Sequence, residues 1–363
     1  PTTAPRTSRI AATLLLCAKL KSLWRIFGAA WLRRALGDRM SAGFRVLITD
    51  RAWPDCSIER EVLGPIGAEI VEAPPLADED VLISLAADAD AIGVCWAPVT
   101  ARVIQASPRC RVISRFGVGL DNIAVDEATR RKIPVTYVPD YCVHEVADHT
   151  LALLLACARN IAWFHTRTKQ GEYALGRAPA MRRLSGRVLG LVGLGRIGRA
   201  VALRARACGM HVIANTHSGR TDFAVGEIVS FEELLERSDF VSLHAPLTPY
   251  TRHLFRVPQF ERMQRSAFLI NTSRGALIET AALETALEQG LIAGAALDVY
   301  DPEPPDLSQP LYRHERLIAT PHAAFYSVDA VVELRQRAAR QIVDVLAGRR
   351  PEHVVNPQVF EGP

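Results

Sequence analysis

The most constraining stretch of the chain lies between residues 187 and 208. Arg187-Val188-Leu189-Gly190-Leu191-Val192 reads as a strand and Gly193-Leu194-Gly195-Arg196-Ile197-Gly198 follows at once, opening a helical pattern from Arg199 to Cys208. A G-x-G-x-x-G run is weak evidence by itself, since glycine turns without a ligand are common; between a strand and a helix it is specific. The first glycine permits the tight turn, the second lets backbone approach a pyrophosphate, and the third lets helix and strand pack closely. The unpaired N–H groups at the helix start then face an anion. Gly193, Gly195 and Gly198, with Arg196 and Ile197 between them, are therefore candidate contacts for a dinucleotide.

The rest of the pattern is consistent with such a site. Short apolar, β-branched runs at 45–49, 91–95, 112–114 and 135–138 precede a long helix predicted over 144–164. Further runs follow at 188–192, 212–214, 240–243, 268–271, 295–299 and 317–319, and an amphipathic helix at 328–347 closes the series before Gly348 and Pro351. Strands alternating with helices predict parallel sheets. Two such series in 363 residues predict an α/β protein of two doubly wound domains.

Charge places few demands on the fold. Of 43 basic and 39 acidic residues, eight basic and one acidic (Asp38) fall in residues 1–39, leaving the remainder slightly acidic with no basic stripe. A nucleic-acid partner is not expected. Residues 1–40 are expected to be a basic extension, disordered or upstream of the natural start at Met40, with a membrane-surface arm as the alternative. No apolar run nears the roughly 18–20 residues of a spanning helix, so no membrane segment is expected. Seven scattered cysteines form no metal-type spacing and predict a reducing, cytoplasmic setting without a bound metal.

The second strand of the glycine-loop series bears on the cofactor. In NAD sites an acid about 20 residues beyond the loop binds the ribose hydroxyls. Here Met210-His211-Val212-Ile213-Ala214 is followed by Asn215-Thr216-His217-Ser218-Gly219-Arg220, with no acid before Asp222. Without that carboxylate a 2′-phosphate is not repelled, and Arg220 with Ser218 offers it donors. NADPH is expected over NADH, with Thr216 also near the cofactor; a solvated Arg220 beside loosely held NAD is the alternative.

Three polar segments each end an apolar strand: Asn271-Thr272-Ser273-Arg274-Gly275, Asp298-Val299-Tyr300-Asp301-Pro302-Glu303 and Thr320-Pro321-His322-Ala323-Ala324-Phe325. Ligands of open α/β sheets bind beyond the carboxyl ends of strands, so Arg274, Glu303 and His322 are expected to converge. The chemistry that suits them is reduction of a 2-keto acid. Arg274 offers a planar fork to a carboxylate or carbonyl oxygen, His322 passes a proton to the developing alkoxide, and Glu303 favours the charged imidazole. Singly each has a plainer role, as a helix-start contact, a solvated carboxylate or a packed loop histidine; their coincidence argues for catalysis.

These motifs, with Arg115-Phe116-Gly117-Val118-Gly119-Leu120-Asp121-Asn122 and Val146-Ala147-Asp148-His149-Thr150, resemble the D-isomer-specific 2-hydroxyacid dehydrogenases from Arg45 to Pro357. Segments 115–122 and 320–327 are similar to the branch that contains the C-terminal-binding corepressors, although Phe325 stands where that branch often has Trp. The resemblance implies Rossmann-like and flavodoxin-like domains with the active site in the cleft between them. It implies a substrate domain of 41–144 plus 326–363, a dinucleotide-binding domain of 145–325, and a homodimer. It assigns Arg274 to substrate binding, His322 to acid/base work and Glu303 to orienting the histidine. Val118 and Gly119 would hold the substrate carboxylate, with Arg115 and Phe325 nearby. Asp298 would bind the nicotinamide carboxamide, with Thr150 and Ser273 close to the cofactor. Asp298 as a loop cap and Arg115 as a structural partner are the plainer alternatives. The expected activity is reduction of a small 2-keto acid, glyoxylate or hydroxypyruvate, by NAD(P)H; a cofactor-sensing, corepressor-like binding protein is the second reading.

Overall fold

The computed structural model describes residues 43–217 and 226–361. The expected basic extension lies outside them. The chain divides into two compact units, one running up to Pro139 and resuming at Val332, the other Asp140–Val331. The helix Val143–Ala158 belongs whole to the second unit, whereas the second break falls within the helix Val328–Leu346.

The first unit holds β1 (Arg45–Ile48), β2 (Glu69–Glu72), β3 (Ala91–Val94), β4 (Ile113–Arg115) and β5 (Val135–Thr136). They form a parallel sheet of order β2-β1-β3-β4-β5, the flavodoxin-like winding. Its central strand β3 is buried along its whole length, as a sheet covered on both faces requires. β2 escapes the sequence pattern: an edge strand reading Glu-Ile-Val-Glu stays partly exposed and tolerates charge.

The second unit holds β6 (Val188–Val192), β7 (His211–Asn215), β8 (Glu227–Ile228), β9 (Phe240–Leu243), β10 (Phe268–Asn271), β11 (Gly294–Leu297) and β12 (Leu317–Ala319). All pair in parallel in the order β12-β11-β10-β9-β6-β7-β8, which extends the six-strand Rossmann order by one strand. Apolar clusters cover both faces, one built on Leu234, Phe255 and Leu283, the other on Leu154, Val201 and Ala205. The order in which strands are added reverses between β6 and β9, the switch point where ligands of such sheets bind.

The helix predicted over 144–164 is two helices, Val143–Ala158 and Ile161–Lys169. Asn160 breaks it with φ +52°, a left-handed conformation that asparagine tolerates better than most residues. The last helix, Val328–Leu346, ends where Gly348 takes φ +75°. No helix among the described residues is long and apolar enough to cross a membrane.

One buried ion pair ties the first unit together. Arg335 donates to both carboxylate oxygens of Glu59, at 2.9 and 2.7 Å, and lies 5.1 Å over the Trp53 ring. Glu59 is fully buried and Arg335 nearly so. Glu59→Ala strands most of a buried guanidinium and is expected to lower stability by about 3–5 kcal/mol, read from the urea midpoint at unchanged m-value.

Candidate active site

One row of paired residues crosses six strands of the second unit: Ala319, Leu297, Asn271, Leu243, Val192 and Asn215 are successive partners in register. The polar segments singled out in the sequence begin on this row, at Asn271, or just past it, at Asp298 and Thr320. Arg274 lies three residues beyond Asn271, His322 three beyond Ala319 and Glu303 six beyond Leu297. The three neighbouring strands span two strand spacings, about 10 Å, a width that long side chains can close around one small acid.

His322 Nδ1 and Glu303 Oε2 are 2.7 Å apart. The other carboxylate oxygen, Glu303 Oε1, accepts the Tyr300 N–H at 2.8 Å, which fixes the acid's orientation. Nδ1 is thus the ring nitrogen that faces the acid. The two side chains keep 26% and 31% exposure, so neither is sealed in the core. His322 has φ +52°, a conformation uncommon for a residue with a Cβ. Its N–H donates to Asp298 O at 2.8 Å and to Thr320 O at 3.1 Å, which holds it there. The Phe325 ring lies edge-on to the imidazole at 6.1 Å.

Asp298 fixes this loop. Its fully buried carboxylate accepts the Thr320 hydroxyl at 2.6 Å and the N–H groups of Ala323 and Ala324 at 2.9 and 2.8 Å. Of the two roles the sequence left open for Asp298, the loop cap is therefore built in. Tyr300 adds a second tie, its hydroxyl donating to Thr320 O at 2.7 Å.

Arg274 sits at the start of the turn Gly275–Leu277. Asn271, fully buried, spans that turn: its Oδ1 accepts the Ser273 N–H and its Nδ2 donates to Arg274 O. The guanidinium donates to Ser273 O at 2.8 Å. A Cβ on Gly275 would lie 1.9 Å from the carbonyl carbon of Tyr300, so only glycine lets the β10 and β11 loops come this close. Asn271, Tyr300 and Gly275 stand in the polar segments read from the sequence but carry no role there; their position beside named site residues was the one available signal.

At the glycine loop, Gly193 has φ +99°, and a Cβ there would meet His244 O at 2.5 Å. A Cβ on Gly198 would meet Gly193 O at 2.5 Å, whereas at Gly195 it would meet nothing within 4 Å. The first and third glycines are thus demanded by the protein itself; the second borders open space at the start of the helix Arg196–Ala207. Ile197 is partly buried and Arg196 exposed. Asn215, the last residue of β7, donates to Val229 O at 3.1 Å, and Thr216 follows it directly. Ser218 and Arg220 lie outside the described residues. Thr150, fully buried, donates to Val146 O and pairs with the Thr272 hydroxyl at 2.8 Å, while Ser273 Oγ donates to Ala245 O.

For Arg115, in the first unit, the structural role that the sequence left open is built in. It is 6% exposed, and its guanidinium donates to the carbonyls of Gly119, Phe116 and Val94. A buried guanidinium needs acceptors, and the tight loop supplies them. Arg115 thereby shapes the turn that presents the partly exposed Val118 and Gly119.

Residues 151–324 match the family model described as D-isomer specific 2-hydroxyacid dehydrogenase, NAD binding domain. The chain is 40% identical over 297 residues to a glyoxylate reductase of Korarchaeum cryptofilum, covering 80% of this chain and 89% of that protein. This chain belongs to the D-isomer-specific 2-hydroxyacid dehydrogenases. Among solved structures, the TT0316 protein from Thermus thermophilus matches at TM-score 0.80 and 35% identity, covering 86% of this chain and all (100%) of that one. A glyoxylate reductase from Paecilomyes thermophila matches at TM-score 0.79 and 29% identity, covering 87% and 99%. The chain is thus an oxidoreductase acting on CH–OH donors with a nicotinamide cofactor.

Within this dehydrogenase the glycine loop rests on His244, whose N–H donates to Val192 O and whose Nε2 lies 2.9 Å from Ser242 Oγ. Burial pushes the His244 pKa down from 6.5 to about 4. Between these values the unfolded chain binds the proton that the folded chain refuses. The contribution of His244 to stability is therefore full above pH 6.5 and falls as pH drops toward 4. Urea midpoints at about pH 7 and about pH 5 are expected to differ less in His244→Asn than in the wild type.

Proposed function

We propose that this dehydrogenase works as a reductase of small 2-keto acids, glyoxylate or hydroxypyruvate, to the D-2-hydroxy acid. The observation that carries the reading is the 2.7 Å contact of His322 Nδ1 with Glu303, in the loops beyond β12 and β11, the two strands next in order after the β10 strand that leads to Arg274. The glycine loop fits the cofactor: open space beside Gly195 and a helix N-terminus suit a pyrophosphate. When bound, the reduced nicotinamide supplies the hydride. Gly193, Gly195, Arg196, Ile197 and Gly198 would hold the pyrophosphate, Thr150 and Ser273 would lie near the cofactor, and Asp298 would add a carboxamide contact to its loop-holding role.

Arg274 binds the keto acid through its planar donor fork and polarises the carbonyl. The substrate carboxylate is assigned to the N–H groups of Val118 and Gly119, with Arg115 holding their loop and Phe325 bordering the substrate. As the carbonyl carbon is reduced, His322 gives the proton on Nε2 to the oxygen and becomes neutral; solvent restores it. Glu303 holds the imidazole by Nδ1 throughout.

NADPH is the proposed cofactor. A neutral Asn215 ends β7 where an acid would repel a 2′-phosphate, and Ser218 and Arg220 are its proposed donors. Residues 41–144 with 326–363 would form the substrate domain and 145–325 the cofactor domain, in a homodimer of the cytoplasm. The sensing alternative is not favoured, because a binding protein needs no acid/base pair.

Initial rates for a panel of 2-keto acids, each with NADH and NADPH, test the reading. Turnover of glyoxylate or hydroxypyruvate with higher kcat/KM for NADPH is expected; no turnover with any keto acid contradicts the activity, and an NADH preference contradicts the cofactor assignment. His322→Ala is expected to lower kcat by about 10²- to 10⁴-fold with cofactor Kd unchanged, since a proton donor acts in the transition state.

A further inference from the structure

The helix Val143–Ala158 reaches the catalytic loop through His149, a residue with no part in the chemistry above. His149 Nε2 lies 3.1 Å from Thr320 Oγ1 and 3.6 Å from Asp298 Oδ1. Thr320 has a single hydroxyl proton, and its strong partner is Asp298 Oδ1 at 2.6 Å. With that proton committed, both groups facing Nε2 offer only lone pairs, so Nε2 must carry a hydrogen. A directed chain results: His149 Nε2–H donates to the Thr320 hydroxyl, which donates to Asp298, whose carboxylate accepts Ala323 and Ala324 N–H. His322 stands between the first and last members of the loop so held.

We propose that His149 is a positioning residue for the reductase: through Thr320 and Asp298 it sets the loop that presents His322. The proposal rests on the 2-keto acid reductase reading for its kinetic arm and on the hydrogen-bond chain alone for its structural arm. Two features support a role beyond filling space. The imidazole side chain is 25% exposed, far from the burial of a core residue. It lines a pocket of about 350 Å³ together with Glu145, Asp148, Ala152, Tyr326 and the same Ala323 and Ala324. One flank of the catalytic loop therefore borders open space, and the chain from His149 takes the place of packing there. Each link strengthens the next, since a hydroxyl that accepts a hydrogen bond donates a stronger one.

The test compares His149→Leu, His149→Gln and Thr320→Val. A glutamine amide can place an N–H near the position of Nε2; leucine cannot. His149→Leu and Thr320→Val are each expected to lower kcat about 10-fold, with KM and cofactor Kd within about 3-fold of the wild type, because the loop is misplaced while binding survives. His149→Gln is expected to recover most of that loss. Hydrogen exchange of the 320–326 segment should speed up in the Leu and Val variants and stay near the wild-type rate in the Gln variant. Wild-type kcat in His149→Leu, a Gln variant as impaired as Leu, or unchanged exchange in 320–326 would each overturn the proposal. If His149→Leu fails to fold, Gln and Val decide it by the same criteria. A wild-type protein that reduces no keto acid sinks the proposed function instead, and the exchange arm still decides whether His149 holds the loop.

Discussion

A fully buried carboxylate is costly unless donors surround it, and Asp298 meets that condition by drawing three donors from one loop. The same turn carries the imidazole. Having satisfied the charge, the loop has little freedom left, and His322 is held in a left-handed conformation that it would otherwise leave. The 2.7 Å contact with Glu303 is made from within that held loop. Preorganisation of this kind is where an enzyme gains most from its fold, because the reorganisation is completed during folding and not at the moment of reaction.

Parallel strands make such a site possible from residues distant in sequence. Six strands of the second sheet end on the same register row, so every loop beyond that row starts at one level. Small residues then close the gaps: Gly275 lets the Arg274 turn press on Tyr300, and Gly193 lets the cofactor loop press on His244. Both contacts are backbone to backbone, which side-chain substitution elsewhere leaves untouched.

The sequence made the strand ends and the glycine loop legible because both are local: an apolar run followed by glycine or polar residues needs no tertiary knowledge. The places of Arg274, Glu303 and His322 just beyond strand ends were readable for the same reason, as was the acid missing after β7. The roles of Asp298 and Arg115 in shaping loops were legible only as alternatives, since a carboxylate that caps a loop and one that binds a ligand look alike in sequence. The edge strands β2 and β8 were missed because Glu69, Glu72 and Glu227 break the apolar pattern at edges that meet solvent. The break at Asn160 was missed because the apolar periodicity continues through it into Ile161 and Trp163. His149 stood in a motif quoted for the resemblance, but its contact with Thr320 was not legible, the two lying 171 residues apart.

The central claim is that Glu303 and His322 act as one unit, the acid working only through the imidazole. A double-mutant cycle on kcat/KM, with Glu303→Gln, His322→Gln and the two combined, measures this directly. The account predicts strong non-additivity, the double variant being no slower than His322→Gln alone. Losses that multiply, with the double variant slower by the full product of the single effects, would show two independent groups and contradict the account.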